Sequence, residues 1–464
     1  MYSKGYSNDD TIVAIATAQG PSGLSVVRLS GADAFSIAQT CFEGHTPLAE
    51  VPSHTLHHGW AVLPGREPGF KFARIDEVVV GVFRAPRSYT RQDVVEFSCH
   101  GGDHIRGSML LALMEAGARP ARRGEFTLRA FLSGRIDLTQ AEAVADLIHS
   151  ENQMESIWAL AQLGGSLSRR IGEMADKVMD CVAEVEARVD FAEDVGGIEV
   201  PAHVTAAIEV VRVELTGLLE GSEYARAVRE GIRVAIAGRP NAGKSSLFNA
   251  LLGEERAIVS DIPGTTRDRV SEQLRLAGIR TQLSDTAGVR ATDDPVERIG
   301  VLHAEAAMDD AGLVLWVVDG SIALGAEDIA FHASSRNRRA LWVLNKCDLG
   351  TAAQRGIEAL ALPPPWVAVS AHNGTGLDVL RDTIKKRFGG GGRCGEVGNT
   401  RHIDALARAW RLLGQASAAA TAGSPGEIVA LELREALAAL SEVVGTHADE
   451  ELLDRIFNRF CVGK

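Results

Sequence analysis

Apolar positions change their period three times along the chain. In residues 11–134, short runs rich in β-branched side chains, at 12–15, 25–29 and 77–83, alternate with turn clusters, and an Ala/Leu-rich stretch follows Gly101. Such runs predict strands and the stretch predicts a helix, so this segment reads as mixed α/β. From residue 139 to about 220, Leu160, Leu163, Leu167, Ile171, Met174, Val178, Val182, Val185 and Val189 recur at steps of three and four. That spacing predicts one apolar stripe along a long helix, the arm of a bundle. Between 231 and about 388, β-rich runs at 232–237, 313–318, 341–344 and 367–369 alternate with helical segments, the pattern of a doubly wound, mostly parallel sheet. The glycines 389–392 read as a flexible linker, and 400–460 returns to helical texture.

With 464 residues, about three domains are expected. The helical segments on either side of the α/β unit suggest one discontinuous domain with that unit inserted in it. The expected borders are 1–133, 134–229, 230–388 and 389–464. Composition changes this picture little: 45% hydrophobic and 23% charged residues are ordinary globular usage. Charge excludes more, since 48 Lys and Arg against 61 Asp and Glu give a net charge of -13, which rules out a wholly basic nucleic-acid coat but not a local basic patch. The apolar runs fall far short of a membrane span, and the six cysteines include no C-x-x-C pair. A soluble cytoplasmic protein with reduced thiols and no membrane partner is expected.

The densest chemistry lies in the α/β unit. Gly238, Arg239, Pro240, Asn241, Ala242, Gly243, Lys244 and Ser245 follow one predicted strand and open a helix at Ser246. The N–H groups of such a loop cradle phosphates, Lys244 reaches the outer phosphates and the Ser245 hydroxyl can ligate Mg²⁺. Asp285, Thr286, Ala287 and Gly288 follow a second strand and supply a carboxylate for the metal's outer sphere, and Thr265 and Thr266 lie between the two motifs. Asn345, Lys346, Cys347 and Asp348 follow a third strand, where an Asp carboxylate can accept two N–H bonds from guanine and reject adenine. Ser370, Ala371 and His372 follow a fourth. Four motifs in this order resemble the translation-factor class of GTPases and imply GTP. Val289 occupies the place of the water-orienting glutamine of Ras-like enzymes. Asn241, with the segment Ser260, Asp261, Ile262, Pro263, Gly264, Thr265 and Thr266, resembles potassium-activated GTPases; alone, Asn241 also reads as a turn residue.

Three further stretches complete the resemblance: Tyr89 to Asp93 running into Glu96 and His100, Arg123 to Phe126 leading to Arg129 and Phe131, and Phe460, Cys461, Val462, Gly463 and Lys464. Together with the inserted unit they closely resemble the MnmE (TrmE) family of tRNA modification GTPases, of the TrmE-Era-EngA-YihA-Septin-like class, across essentially the whole sequence. The resemblance implies an N-terminal α+β folate-binding-like and dimerisation domain, a discontinuous helical bundle and an inserted Ras-like P-loop GTPase domain. It implies a tetrahydrofolate derivative, in the 5,10-methylene or 5-formyl form, on Arg28, Glu96, Arg135 and Lys464. Arg135 stands where some members carry Lys, which replaces a point charge by a planar fork. In the inserted domain it implies GTP on Asn241 to Ser246, Mg²⁺ on Ser245 and Thr266, and K⁺ on Asn241, Ser260, Ile262 and Thr265. Guanine falls to Asn345, Lys346 and Asp348. Lys244, Thr266 and Glu297 are implied in hydrolysis, Glu297 by ordering water, and Cys461 as a reactive thiol of the first domain. The implied partners are a second copy, tRNA and the FAD-dependent MnmG (GidA). Read without the family, Arg28 and Glu96 are also ordinary strand residues and Glu297 a solvated helix charge. A regulatory RNA- or ribosome-binding GTPase without one-carbon chemistry is the alternative.

Weaker signals complete the reading. Neither His54, His57 and His58 nor Cys99, His100 and His104 has a recognised zinc spacing. Arginines 119, 122, 123, 129 and 135 against the single acid Glu125 form a candidate RNA contact or a solvated helix face. A prenylation reading of Cys461 fits poorly with Gly463 and Lys464 after it.

Overall fold

The computed structural model describes residues 10–64, 74–150, 152–191, 199–255, 271–276, 279–285, 308–334, 339–350, 352–359, 366–387, 397–446 and 448–464. By its contacts the chain divides into two compact units, Met1–Asp176 with Leu437–Lys464, and Lys177–Ala436.

The first unit is built on β1 (Ile12–Ile15), β2 (Ser22–Ser30), α1 (Ala34–Thr40), β3 (Phe42–Gly44), β4 (Thr55–Val62), β5 (Arg74–Phe83), β6 (Val94–Gly101), α2 (Asp103–Glu115) and β7 (Arg119–Pro120). The strands form one sheet in the order β3-β4-β5-β6-β2-β1-β7, antiparallel except for the β1–β7 pair. Alternation sorts its side chains. Val27, Leu29, Val80, Val82, Val95 and Phe97 pack with Ile37 of α1 and Met109 and Leu113 of α2 in one core. The register opposes Arg28 to Glu96, and both point to the other face because their sequence neighbours Val27, Leu29, Val95 and Phe97 are buried.

Beyond the sheet come α3 (Glu125–Leu132), α4 (Leu138–His149) and α5 (Gln153–Leu163). Asp137 starts α4 with a capping box closed by Gln140. Leu128, Leu138 and Ala141 share a core with Leu453, Ile456, Phe457 and Phe460 from the far end of the sequence. The apolar stripe expected on one long helix is instead divided between α5 and α6 (Ser166–Asp190). Gly165 takes φ +77 and donates to the Gln162 carbonyl, while Gly164 donates to Leu160. This left-handed glycine cap ends α5, so Leu160 remains 54% exposed while Leu167, Ile171, Met174 and Val178 are buried.

The second unit continues with α7 (Ala202–Leu219), α8 (Ser222–Glu230), β8 (Ile232–Gly238), α9 (Lys244–Glu255), β9 (Ser271–Leu276), β10 (Ile279–Asp285), β11 (Leu313–Asp319), α10 (Ala326–Ser334), β12 (Ala340–Asn345), α11 (Ala352–Ala359), β13 (Trp366–Ala368), α12 (Leu377–Arg387), α13 (Thr400–Thr421) and α14 (Gly426–Val444). Its sheet runs β13-β12-β11-β8-β10-β9 and is parallel apart from β9. The central strands are nearly continuous apolar runs because both their faces are covered; on one face Trp316 stacks on Phe331 at 3.8 Å. Helices from the two sides of this sheet in sequence meet: α13 packs on α7, where the Trp410 indole donates to Thr216 Oγ1 at 3.1 Å, and Arg434 of α14 pairs with Glu186 of α6. The helical segments thus associate around an inserted α/β domain, and the fold class is the one expected. Among the described residues no helix is long and apolar enough to cross a membrane.

Candidate functional site

In the first unit, the residues after Phe457 are sewn onto the start of α3. Arg123 Nε donates to the Phe460 carbonyl at 3.1 Å, and Arg123 and Val462 form a β-bridge. Gly463 is buried with φ +98, and a Cβ there would lie 2.3 Å from the Ile15 carbonyl oxygen. Only glycine permits that approach to β1. Lys464 is thereby carried close enough to Arg28 and Glu96 for both to act on its charge. Burial holds its ammonium below the ordinary lysine range, Arg28 adds to this, and Glu96 opposes it.

Around Lys464 the expected residues converge. Arg28 Nε donates to Glu96 Oε1 at 2.7 Å, with the two side chains 18% and 26% exposed. The Arg28 guanidinium lies 5.8 Å from the Tyr89 ring centre and 5.7 Å from that of Phe126, and the Arg135 guanidinium lies 5.0 Å from Tyr89. The Tyr89 hydroxyl is 2.9 Å from Thr127 Oγ1. Burial pushes this phenol above its ordinary range, outweighing Thr127 and the two arginines. Three basic side chains and one carboxylate therefore cluster about the Tyr89 and Phe126 rings. An anionic group suits the cations, and paired N–H donors of a heterocycle suit Glu96; these residues fit a folate. Cys461 is exposed and near enough to bear on Lys464.

In the second unit the phosphate loop joins β8 to α9. Gly238, Asn241 and Gly243 take positive φ values of 141, 61 and 89°, and a Cβ on Gly238 would strike the Val317 backbone. Lys244 is 9% exposed and donates to the carbonyls of Gly238 and Arg239, each at 2.8 Å. The Asn345 amide donates to the Ala242 carbonyl at 3.0 Å, while its oxygen accepts from the Ala371 N–H at 3.0 Å. One fully buried side chain thus fastens the loop to the segment of Ser370, Ala371 and His372. Lys346 donates to the Asn241 carbonyl at 2.8 Å and to Asp319 at 2.7 Å. Burial alone would raise the Asp319 carboxyl, but bonds from Lys346 and Ser321 hold it below its ordinary range. Asp348 is exposed beside Lys346, and Ser245 and Ser246 are exposed in the first turn of α9. Loop amides at a helix start, with an adjacent lysine and a carboxylate rim, can hold a nucleotide's phosphates and base.

Asp285 ends β10, its backbone beside that of Ile236. Ser260, Asp261, Ile262, Pro263, Gly264, Thr265, Thr266, Thr286, Ala287, Gly288, Val289 and Glu297 lie outside the described residues. Two contributors escaped sequence reasoning. Asp319 follows an apolar run at the carboxyl end of a central parallel strand, where such sheets gather ligands, and that position was its signal. Tyr89 stood inside a quoted motif, but nothing in the sequence ties it to Arg135.

Within the arginine-rich stretch, two of the five guanidinia are committed to acids. Arg129 is 2% exposed and bonds Asp10, Gln92 and Glu125; Arg119 bonds Asp10 and Glu125; Arg123 and Arg135 serve the contacts above. Strand and helix packing turns Arg119 and Arg129 onto two acids, one of them, Asp10, distant in sequence, while Arg122, Arg123 and Arg135 are exposed. His57 pairs with Thr55, His58 with Glu77 and His100 with Asp76, and among the described residues no His, Cys, Asp and Glu cluster could hold a metal.

Comparison with known proteins covers nearly all of the sequence. Residues 11–135 match the family described as GTP-binding protein TrmE N-terminus, and residues 138–461 match the MnmE helical domain. The tRNA modification GTPase MnmE of Syntrophotalea carbinolica is 43% identical over 98% of this chain and 100% of its own length. That of Symbiobacterium thermophilum is 45% identical over 98% and 100%, and that of Moorella thermoacetica 43% over 98% and 100%. Two family models that together span nearly all of the sequence, and full-length similarity at 43 to 45% identity, place the chain in the MnmE family of tRNA modification GTPases.

Proposed function

We propose that this protein is a potassium-activated GTPase that, with the FAD-dependent partner MnmG, adds an aminomethyl or carboxymethylaminomethyl group to C5 of the wobble uridine of certain tRNAs in the cytoplasm. Asn241 to Ser246 bind the phosphates of GTP, and Asn345, Lys346, Asp348 and Ser370 to His372 bind guanine. Ser245 and Thr266 hold Mg²⁺. Asn241, Ser260, Ile262 and Thr265 hold K⁺, whose charge lies where an arginine finger would otherwise act. Glu297 orders the water that attacks the γ-phosphorus, yielding GDP and phosphate. Arg28, Glu96, Arg135 and Lys464 bind the tetrahydrofolate derivative that supplies the one-carbon unit, and the first domain, residues 1–133, pairs two copies.

The observation that carries the one-carbon part is the approach of Lys464, at the far end of the sequence, to the paired Arg28 and Glu96. A GTPase that only switched shape on RNA has no use for that construction. Mass spectrometry of tRNA nucleosides from cells lacking the protein tests the reading: loss of the C5 wobble-uridine modification is expected, and intact modification would overturn it. GTP turnover in K⁺ should exceed turnover in Na⁺ by at least about tenfold; indifference to the cation would remove the potassium part alone.

A further inference from the structure

The cluster holds one group that the proposed folate site does not assign. Tyr89 contacts Arg28 and Arg135 through its ring, at 5.8 and 5.0 Å, and is anchored at its hydroxyl by fully buried Thr127. Arg28 is held from its other neighbours by Glu96 and the Phe126 ring. Arg135 is anchored through its backbone in the turn after α3, where its N–H bonds the Ala130 carbonyl. A guanidinium over an aromatic face is attracted by the ring quadrupole and keeps its edge N–H groups free for a carboxylate. Arg28 and Arg135 also repel each other, so a ring in contact with both fixes their separation at little cost.

We infer that Tyr89 is a positioning residue of the proposed folate site: it sets Arg135 as a planar fork for the ligand's anionic tail while Arg28 stays committed to Glu96 at the heterocycle end. The inference rests on the folate reading and adds to it a coupled pair, Tyr89 and Arg135. In a chain with lysine at 135 the ring would have a point charge to hold rather than a plane.

Calorimetry with 5-formyl-tetrahydrofolate on the full chain is the test, with 5-formyl-tetrahydropteroate, which lacks the glutamate tail, as second probe. Wild type should bind the first more tightly. Tyr89→Phe keeps the ring and should stay within about threefold. Tyr89→Leu should lose about ten- to thirtyfold for the tailed ligand and under threefold for the tailless one. Arg135→Gln should lose the same selectivity, and the double variant should lose little more than either single one, a coupling that a purely structural role would not produce. Equal losses for both ligands, or additive losses in the double variant, would overturn the inference. A wild type that binds neither ligand defeats the folate reading itself, and the inference with it. Should Tyr89→Leu fail to fold, nitration of wild-type Tyr89 decides: protection by the tailed ligand above that by the tailless one, with buried Tyr224 as reference, supports the role, and equal protection refutes it.

Discussion

At the scale of single residues, the charge network at Arg129 shows how a sequence run can mislead. Five arginines around one glutamate suggest a surface for phosphate, yet Arg129 bonds Asp10, Gln92 and Glu125 from an almost fully buried position. Burial alone would raise the Glu125 carboxyl, but Arg119 and the Arg122 N–H outweigh it and hold it below its ordinary range; Asp10 behaves likewise through Arg119 and Arg129. Depressed carboxyl pKa values give stability that is fully present above the unfolded values and lost as pH falls through the folded ones. The thermal midpoint of the first unit is therefore expected to drop as pH is lowered below about 4.5. Glu125→Gln should cost about 1–3 kcal/mol at neutral pH, because Arg119 and Arg129 lose one of the two carboxylates they share while Asp10 remains, and should flatten the acid limb in a pH series of thermal melts. An unchanged acid limb would mean other carboxylates set it. Asp319 makes a second case: its bond to Lys346 steadies the lysine that also holds the phosphate loop. Asp319→Ala is expected to weaken GDP binding by about 1–2 kcal/mol, roughly five- to thirtyfold, in a fluorescent-nucleotide titration; an unaltered Kd would show that Asn241 alone positions Lys346.

Whole elements were more legible than the contacts between them. The strands at 12–15, 232–238 and 313–319 follow directly from their apolar runs, because each is short, bounded and buried on at least one face. The α5–α6 break was missed since the three-four spacing of leucines passes through Gly164 and Gly165 undisturbed, and only the left-handed φ of Gly165 reveals the stop. The grouping of Arg28, Glu96 and Lys464 was legible only from family motifs. Tyr89 and Asp319 were not, because their roles depend on which strands and turns become neighbours. Glycines divide the same way. Gly172 sits inside α6 with open space where a Cβ would go, whereas at Gly463 that atom meets the β1 backbone. Gly172→Ala should stabilise by roughly 0.5–1 kcal/mol in chemical denaturation. Gly463→Ala should instead lift Lys464 away from Arg28 and Glu96 and cut 5-formyl-tetrahydrofolate affinity at least about tenfold, with GTP affinity unchanged. If calorimetry found folate binding intact in that variant, Lys464 would not be part of the site.

For the molecule as a whole, the net charge of -13 and the commitment of Arg119 and Arg129 to Asp10 and Glu125 predict few phosphate contacts, so tRNA binding by this chain alone should depend only shallowly on salt. The two proposed sites have no residue in common and lie one in each compact unit. Local chemistry then predicts how they separate. Lys244→Ala removes the side chain proposed to reach the outer phosphates and should abolish GTP hydrolysis while leaving 5-formyl-tetrahydrofolate affinity within about twofold. Glu96→Ala removes the proposed acceptor for the heterocycle and the carboxylate partner of Arg28, so folate binding should vanish while basal GTP turnover persists. Both variants should fail to restore wobble-uridine modification in cells lacking the protein, since each supplies only half of the proposed reaction. If Lys244→Ala altered folate affinity tenfold, the two sites would instead be linked at the level of binding by about 1.4 kcal/mol, and reciprocity would require folate to shift GTP affinity by the same factor. Titrating each ligand in the presence of the other distinguishes these outcomes, because independent sites give superimposable isotherms and linked sites cannot.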